Sequence, residues 1–345
     1  MIARKVYENP EVYLIEVPFQ NVALSETNVY VVRDGDDVLI VDMGSPTDEA
    51  AAVFTAALDE LGIDLSKARY AFTHMHFDHS GLARAYIPST ATIYIHEHER
   101  ASARPDFTEK MNRIVKRRLE EEGMDSAQAS LMCASIEIAT PLDDGSKTIE
   151  TVRGGDVIEV GRHGFEVVDL PGHTRGMMGL YQPDSGICFS GDQLLFIITT
   201  TTGLFLDGSD SLLAYERSQQ RLLSLPITML FHSHGEIRPD FRERGVQILQ
   251  HKNRRLDVTA DAVKRLYEQA DGQLAPRGID VIRAMGWNIP FGSIDECEAH
   301  QQWLIYTQGI AILDHMVVTG MIDRVEEPAM AGVASVLHRY QPVFS

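Results

Sequence analysis

The stretch that decides the fold places three histidines and one aspartate within six positions: Thr73-His74-Met75-His76-Phe77-Asp78-His79-Ser80-Gly81. Buried imidazoles and carboxylates are costly unless they are paired or bound to a metal ion, so core packing does not account for the cluster. The short apolar run at 70–72 predicts that the cluster begins where a strand ends. Side chains two apart share one side of an extended chain, so His74 and His76 can reach one ion while Asp78 and His79 turn to a second. The alternative is a histidine-rich surface loop that binds nothing.

Composition and charge favour a globular protein in a reducing compartment. The 345 residues suit one large domain, or a large domain with a smaller one. A net charge of -19 repels polyanions on average, which argues against nucleic-acid and anionic-membrane partners. The three cysteines are odd in number and form no C-x-x-C pair, which argues against a disulfide framework. With neither a signal peptide nor a run of ~18 apolar residues, the sequence predicts a soluble, cytoplasmic protein.

The first hundred residues are predicted to be strands with interleaved helices. Apolar runs predict strands at 11–19, 29–33, 38–42, 70–73 and 92–95. We expect Ser45 to cap a helix that has Pro46 in its first position and ends at Gly62. The stretch 106–138 interrupts this alternation with a helical insertion, which either lies over the site as a lid or packs outside a sheet.

A second strand-rich part begins near residue 155. Strands are predicted at 157–160, 165–170, 179–181, 187–190 and 227–231. Two strand-rich halves with helices outside predict a four-layer α/β sandwich. Beyond residue 240, helical patterns dominate at 241–256, 260–270, 278–285 and 295–319. We therefore expect a catalytic domain at 1–240 and a smaller helical domain at 241–345.

Four further polar residues share one feature, because each lies at or after the end of a predicted strand with a glycine one or two positions away: Asp42, His173, Asp192 and His234. If the strands are aligned in two sheets, these groups meet at one edge together with the histidine-rich loop. Imidazole and carboxylate groups are ligands for zinc, iron or manganese. The sequence therefore predicts two divalent ions, most simply zinc, with iron and manganese as alternatives.

Seven side chains can build the two sites. One ion is assigned to His74, His76 and His173, the other to Asp78, His79 and His234, and Asp192 lies between them. Asp42 is left as a partner for a ligand imidazole, and Asp42, Asp78 and Asp192 are the candidate catalytic residues. A water bridging two divalent ions loses a proton near neutral pH and becomes a nucleophile.

In this order, these residues resemble the metallo-β-lactamase superfamily over about residues 11–240. The resemblance implies the αββα fold and the ligand roles just given. Two segments are similar to glyoxalase-II-like hydrolases: Pro171-Gly172-His173-Thr174 and Ser190-Gly191-Asp192. Diiron flavoproteins of the superfamily use a glutamate where His76 stands, which argues against an oxygen-reducing role. The motif at 248–256 and the segment 320–322 resemble a subgroup with a winged-helix-like C-terminal domain, which includes endoribonucleases and other hydrolases.

The leading function is a metal-dependent hydrolase that uses a metal-bridging hydroxide on a small ester-like substrate, in the first place a thioester. Arg254 and Arg255 are expected to pair with an anionic thiol carrier; otherwise the C-terminal domain is a lid or forms a homodimer. An endoribonuclease with the same metal site is one alternative, favoured by the basic stretch 242–265 and opposed by the overall acidity. A ligand sensor or interaction module without turnover is the other.

Overall fold

The computed structural model describes residues 1–19, 24–134, 136–289, 292–328 and 336–343. The chain divides into two compact units. The first consists of Met1–Thr108, Glu137–Thr200 and Tyr215–Val246. The second consists of Glu109–Ile136, Thr201–Ala214 and Gln247–Ser345. The domain limits expected from the sequence, 1–240 and 241–345, stay a prediction.

A seven-stranded sheet forms one layer of the first unit, with its strands in sequence order. Its strands are β1 (Ala3–Glu8), β2 (Glu11–Pro18), β3 (Glu26–Asp34), β4 (Asp37–Val41), β5 (Arg69–Ala71), β6 (Thr92–His96) and β7 (Thr148–Val152). Pairing is antiparallel from β1 to β4 and parallel from β4 to β7. The parallel half places the carboxyl ends of β4 and β5 at the same edge.

A five-stranded sheet forms the second layer, in the order β12-β11-β10-β9-β8. Its strands are β8 (Val157–Val160), β9 (His163–Asp169), β10 (Met178–Gln182), β11 (Ile187–Gly191) and β12 (Met229–His232). The β11–β12 pair is parallel and the other pairs are antiparallel. The ends of β11 and β12 therefore share one edge of this sheet.

Apolar side chains cover both faces of the first sheet. In β3, Tyr30 and Val32 join the core shared with Phe165 of the second sheet, while Val29 and Val31 join the core that contains α1 (Asp48–Leu61). Strands buried on both faces read as continuous apolar runs, which is what 29–32 shows. The predicted αββα sandwich is confirmed.

The cap of α1 differs from the prediction. Thr47, and not Ser45, is the N-cap, and its side chain accepts a hydrogen bond from the Ala50 N–H. The helix begins at Asp48, so Ser45 and Pro46 precede its N-cap, and the Ser45 hydroxyl donates to the Pro18 carbonyl. The C-terminus is as predicted, since Gly62 adopts the left-handed conformation with φ 66°.

The remaining helices include those of the second unit. They are α2 (Phe77–Ser80), α3 (Ala83–Tyr86), α4 (Phe107–Glu121), α5 (Ser126–Ala134), α6 (Ser211–Ser224), α7 (Phe241–Gln269), α8 (Gly278–Ala284) and α9 (Ala299–Val318). The helices predicted at 241–256 and 260–270 form the single helix α7, because the residues between them include neither glycine nor proline. Strands β13 (Ile322–Pro328) and β14 (Val336–Pro342) form an antiparallel hairpin. Among the helices of the described ranges, none is long and apolar enough to cross a membrane.

Candidate metal centre

The predicted polar groups meet at one edge of the first unit. Asp42 follows β4, the histidine-rich loop follows β5, and the other three groups lie after the ends of β9, β11 and β12. Three sets of side chains bring potential ligand atoms within 4.8 Å of one another: His74, His76 and His173; His74, His79 and Asp192; Asp78, His79 and His234. All seven predicted ligands belong to these sets, so the expected convergence is present.

The first group contains imidazole nitrogens alone. His76 Nδ1 lies 3.0 Å from His74 Nε2 and 2.9 Å from His173 Nε2. His74 presents its other ring nitrogen, Nδ1, to the Thr73 hydroxyl oxygen at 3.2 Å. Three nitrogens from two separate loops thus face a common point.

The second group combines a carboxylate with two imidazoles. Asp78 Oδ2 lies 3.6 Å from His234 Nε2 and 3.7 Å from His79 Nε2. Both histidines are fully buried. This mixed oxygen and nitrogen set suits zinc, iron or manganese.

The Asp192 carboxylate joins the two groups. Its Oδ1 lies 3.3 Å from His234 Nε2 and 3.5 Å from His79 Nε2. Its Oδ2 lies 3.5 Å from His173 Nε2, in the first group. One oxygen therefore faces each group, which is the arrangement that a bridging ligand requires.

These residues fit a pair of metal ions. Ligands bound at ~2.0–2.1 Å around a tetrahedral ion lie about 3.3 Å apart, and the separations above cluster around that value. Three buried atoms that face the centre have no hydrogen-bond partner among the described residues: His79 Nε2, Asp192 Oδ1 and His234 Nε2. Buried polar atoms are rarely left unpaired, so bound cations are the simplest partners for them.

The charges of the centre favour cations. Burial lowers the pKa of His74 and of His76 well below the usual value, so both imidazoles are neutral, the form that binds metals. Burial also acts to lower the pKa of His79, but the neighbouring carboxylates outweigh it and raise that pKa well above the usual value. Burial alone would raise the pKa of Asp192, yet His234 and His79 hold it well below the usual value. The carboxylates thus stabilise positive charge beside them, which a bound cation would supply in place of the His79 proton.

Asp42 holds His79 from the side opposite the centre. Its Oδ2 lies 2.9 Å from His79 Nδ1, which fixes the proton there and leaves Nε2 for an ion. The same carboxylate accepts hydrogen bonds from the Thr73 N–H and the Thr73 hydroxyl, each at 2.9 Å. Asp42 adopts φ 61°, a conformation that costs a residue other than glycine ~1–3 kcal/mol and is concentrated at functional sites. Asp42 therefore acts through His79 and not on a substrate directly.

Strand β3 fixes the His234 loop. His234 Nδ1 lies 2.7 Å from the Glu26 carbonyl oxygen, so Nε2 is again left for an ion. The Asn28 side-chain amide donates to the carbonyls of His232 and Gly235, at 3.0 and 2.8 Å. Sequence reasoning missed Asn28 and Thr73 as supports, and the single signal available was a polar residue beside a predicted strand end.

Gly172 allows the His173 loop to approach α6. It has φ 149°, and a Cβ atom there would lie 2.4 Å from Tyr215 Cα. Tyr215 is fully buried and its hydroxyl donates to the Gln193 carbonyl at 2.5 Å. Tyr215 is therefore a packing residue.

Two other histidines, at the ends of β6 and β12, lie outside the ligand sets of the described residues. His232 is fully buried and its ring lies 5.3 Å from that of Phe196, so it is a packing residue. His96 Nε2 lies 3.1 Å from Asp169 Oδ1, so it belongs to a pair at the end of its strand.

A family model described as the metallo-beta-lactamase superfamily matches residues 23–234, more than half of the chain. The chain belongs to this superfamily. A Bacillus subtilis (strain 168) protein described as probable metallo-hydrolase YqjP is 28% identical over 233 residues, covering 64% of this chain and 70% of that one. The chain is a metal-dependent hydrolase of the superfamily, as predicted.

Two further relatives match over shorter regions. An acyl-coenzyme A thioesterase of Gallus gallus is 28% identical over 174 residues, and the match covers 49% of this chain and 57% of that protein. A hydroxyacylglutathione hydrolase of Brucella ovis is 33% identical over 76 residues, covering 22% of this chain and 28% of that protein. The glyoxalase-II-like resemblance thus has partial support.

Solved structures share the fold over nearly the whole chain. A metallo-beta-lactamase family protein from Thermus thermophilus has a TM-score of 0.74 and 21% identity, covering 96% of this chain and 98% of that one. A beta-lactamase domain protein from Burkholderia ambifaria has a TM-score of 0.72 and 19% identity, covering 99% and 95%. At these identities the likeness concerns the fold.

Proposed function

We propose that this chain is a dinuclear zinc hydrolase that cleaves a small thioester. The observation that carries the proposal is the Asp192 carboxylate, whose two oxygens face separate ligand groups at 3.3–3.5 Å. A carboxylate in this position would be able to bind two ions, one through each oxygen.

The assignment of ligands follows the geometry. His74 Nε2, His76 Nδ1 and His173 Nε2 would hold one ion, the Asp78 carboxylate with the Nε2 atoms of His79 and His234 would hold the other, and Asp192 would bind both. Two divalent ions bound there would supply Lewis acidity toward a substrate carbonyl and lower the pKa of a water to near neutrality.

The protein itself orients the ligand side chains and controls which ring nitrogen carries the proton. Asp42 and the Glu26 carbonyl each hold the Nδ1 proton of one imidazole, so a bound ion would take the place of a proton at the opposite nitrogen. Burial of the ligands lowers the local dielectric and strengthens their interaction with charge that develops on the substrate. Thioester hydrolysis breaks the C–S bond and adds water, giving a carboxylic acid and a thiol.

The thioester rests on the two relatives whose names include thioester substrates, an acyl-coenzyme A thioesterase and a hydroxyacylglutathione hydrolase. The basic stretch gives little support to an endoribonuclease. Arg242, Arg244 and Arg265 donate hydrogen bonds to backbone carbonyls within the chain, which leaves fewer N–H groups to bind RNA phosphates.

Arg255 is also not available in the way the sequence suggested. Its Nη1 donates to the carbonyls of Met285 and Gly286 at 3.0 and 2.7 Å, just beyond the end of α8. Its guanidinium carbon lies 4.4 Å from the Trp287 ring centroid. These contacts argue against a role of Arg255 in pairing with an anionic carrier, which stays a prediction, whereas Arg254 is exposed and is the better candidate.

A substrate panel with zinc-loaded protein tests the proposal. Acyl-coenzyme A, acylglutathione and a matched oxyester should be compared with a structured RNA, using protein treated with chelator as the control. We expect turnover of a thioester that is lost on chelation and restored by zinc. Cleavage of RNA alone would overturn the substrate class, and bound zinc without turnover of any member would favour a sensor.

A further inference from the structure

A buried glutamate lies behind the first ligand group. Glu99 belongs to the 3₁₀ turn Glu97–Arg100, which directly follows β6. It is 1% exposed, whereas its neighbours His98 and Arg100 are exposed. A carboxylate buried to this extent is costly unless it is well hydrogen-bonded, so its partners matter.

The partners of Glu99 are two backbone amides from the ligand loops. Its Oε2 accepts a hydrogen bond from the Met75 N–H at 3.1 Å, and its Oε1 accepts one from the Gly176 N–H at 3.0 Å. Met75 stands between His74 and His76, and Gly176 lies three residues after His173. One carboxylate therefore ties together the two loops that carry all three imidazoles of the first group.

Gly176 provides a second, independent sign of this contact. A Cβ atom at position 176 would lie 2.6 Å from Glu99 N and 2.9 Å from Glu99 Cγ. Any side chain would therefore push the His173 loop away from Glu99. Hydrogen bonds from backbone amides to a carboxylate are charge-assisted and are the stronger kind, so the contact constrains both loops.

We propose that Glu99 is a positioning residue that sets the spacing of His74, His76 and His173 around one metal ion. The inference rests on the proposed dinuclear site. Glu99 accepts from the backbone amides of Met75, between His74 and His76, and of Gly176 in the His173 loop, so its loss should act on the first ion. The second group has its own supports, at Asp42 and Glu26, and keeps its ion without Glu99.

Glu99→Gln is the direct test. The glutamine keeps the shape, but its oxygen can accept from just one of the two amides, and its NH₂ group opposes the other N–H. Partners outside the ligand shell contribute 10–100-fold to metal affinity, so the variant should lose that much at one ion. Gly176→Ala displaces the same loop from the other side and should weaken the same ion.

Asp37→Asn is the matched control. Asp37 Oδ2 also accepts a backbone amide, from Gly161 at 2.7 Å, and both Asp37 oxygens pair with the Arg69 guanidinium at the start of β4, the end opposite Asp42. It should lower the thermal midpoint without changing the affinity for either ion. If Glu99 served only to stabilise the fold, Glu99→Gln would likewise lower the thermal midpoint and leave the affinity for both ions unchanged.

Affinities should be measured by competition with a chromogenic chelator, and the affected ion located by zinc anomalous scattering from crystals grown at limiting zinc. We expect reduced occupancy beside His74, His76 and His173 in both test variants, with full occupancy beside Asp78, His79 and His234. Two tight ions in Glu99→Gln, or equal loss at both positions, would overturn the role of Glu99. Wild-type protein that takes up no zinc would instead overturn the dinuclear site, and the inference with it.

Discussion

Replacing Asp42 by asparagine should weaken the second metal ion through His79. The Asp42 carboxylate accepts three hydrogen bonds of 2.9 Å, two at Oδ2 from the Thr73 hydroxyl and His79 Nδ1, and one at Oδ1 from the Thr73 N–H. An asparagine keeps its oxygen where two donors meet, so its NH₂ group faces the Thr73 N–H. One buried amide then loses its partner, which costs about 1–3 kcal/mol.

The effect on the metal follows from the change of charge. A neutral amide oxygen accepts the His79 proton less strongly than a carboxylate, so the imidazole becomes a poorer ligand. Loss of such a partner reduces metal affinity or activity by ~10–100-fold, which corresponds to about 1.4–2.8 kcal/mol. The first ion, held by His74, His76 and His173, should be unaffected.

The backbone conformation of Asp42 offers a control. At φ 61° an alanine pays about 1–2 kcal/mol for the left-handed conformation, whereas glycine does not. Asp42→Ala and Asp42→Gly both remove the carboxylate, so both should lose the same metal affinity, but the alanine variant should unfold at the lower temperature. This pair separates backbone strain from support of the ligand.

The assay is zinc competition with a chelator, together with kcat/KM for a thioester. Asp42→Asn protein that binds two zinc ions as tightly as the wild type, with unchanged kcat/KM, would refute the role given to Asp42. Equal unfolding temperatures for Asp42→Ala and Asp42→Gly would refute the backbone strain assigned to position 42.

Three further outcomes are expected. Asp192→Ala should release both ions and abolish hydrolysis while circular dichroism shows a preserved fold; wild-type turnover would exclude the bridging role. Burial raises the pKa of Cys133 to about 11 and also raises that of Cys188, so a thiol reagent at pH 8 should label the native protein slowly and the denatured protein rapidly. Arg255→Ala should destabilise the protein by about 1–3 kcal/mol, because the carbonyls beyond α8 lose their donor. Arg254→Ala should leave the thermal midpoint unchanged, and equal thermal midpoints for the two variants would contradict this.

The fold and the ligand groups could be predicted from the sequence because each candidate ligand stands next to the apolar run that predicts its strand. Each of Asp42, His173, Asp192 and His234 comes after an apolar run, and aligned strands bring the ends of such runs together. The four consecutive apolar residues at 29–32 are enough to predict a strand that is buried on both faces. In the structure they alternate between the two cores.

The supports of the site could not be predicted in the same way. Glu99 stands in a charged stretch that looks like a solvated surface, and its burial depends on amides 24 and 77 positions away in the sequence. Strands β1 and β7 carry many exposed polar residues, so they lack the apolar signal of the central strands. Arg255 donates to the Met285 carbonyl because the end of α8 lies beside it. Nothing in the sequence around Arg255 indicates this contact.

The most direct test of the central claim is a zinc anomalous difference map from crystals of the full chain grown with zinc. We predict two peaks, about 3.5–4 Å apart, with the Asp192 carboxylate between them, His74, His76 and His173 around one, and Asp78, His79 and His234 around the other. A single peak, or less than one zinc ion per chain after incubation with excess zinc, would contradict the dinuclear centre.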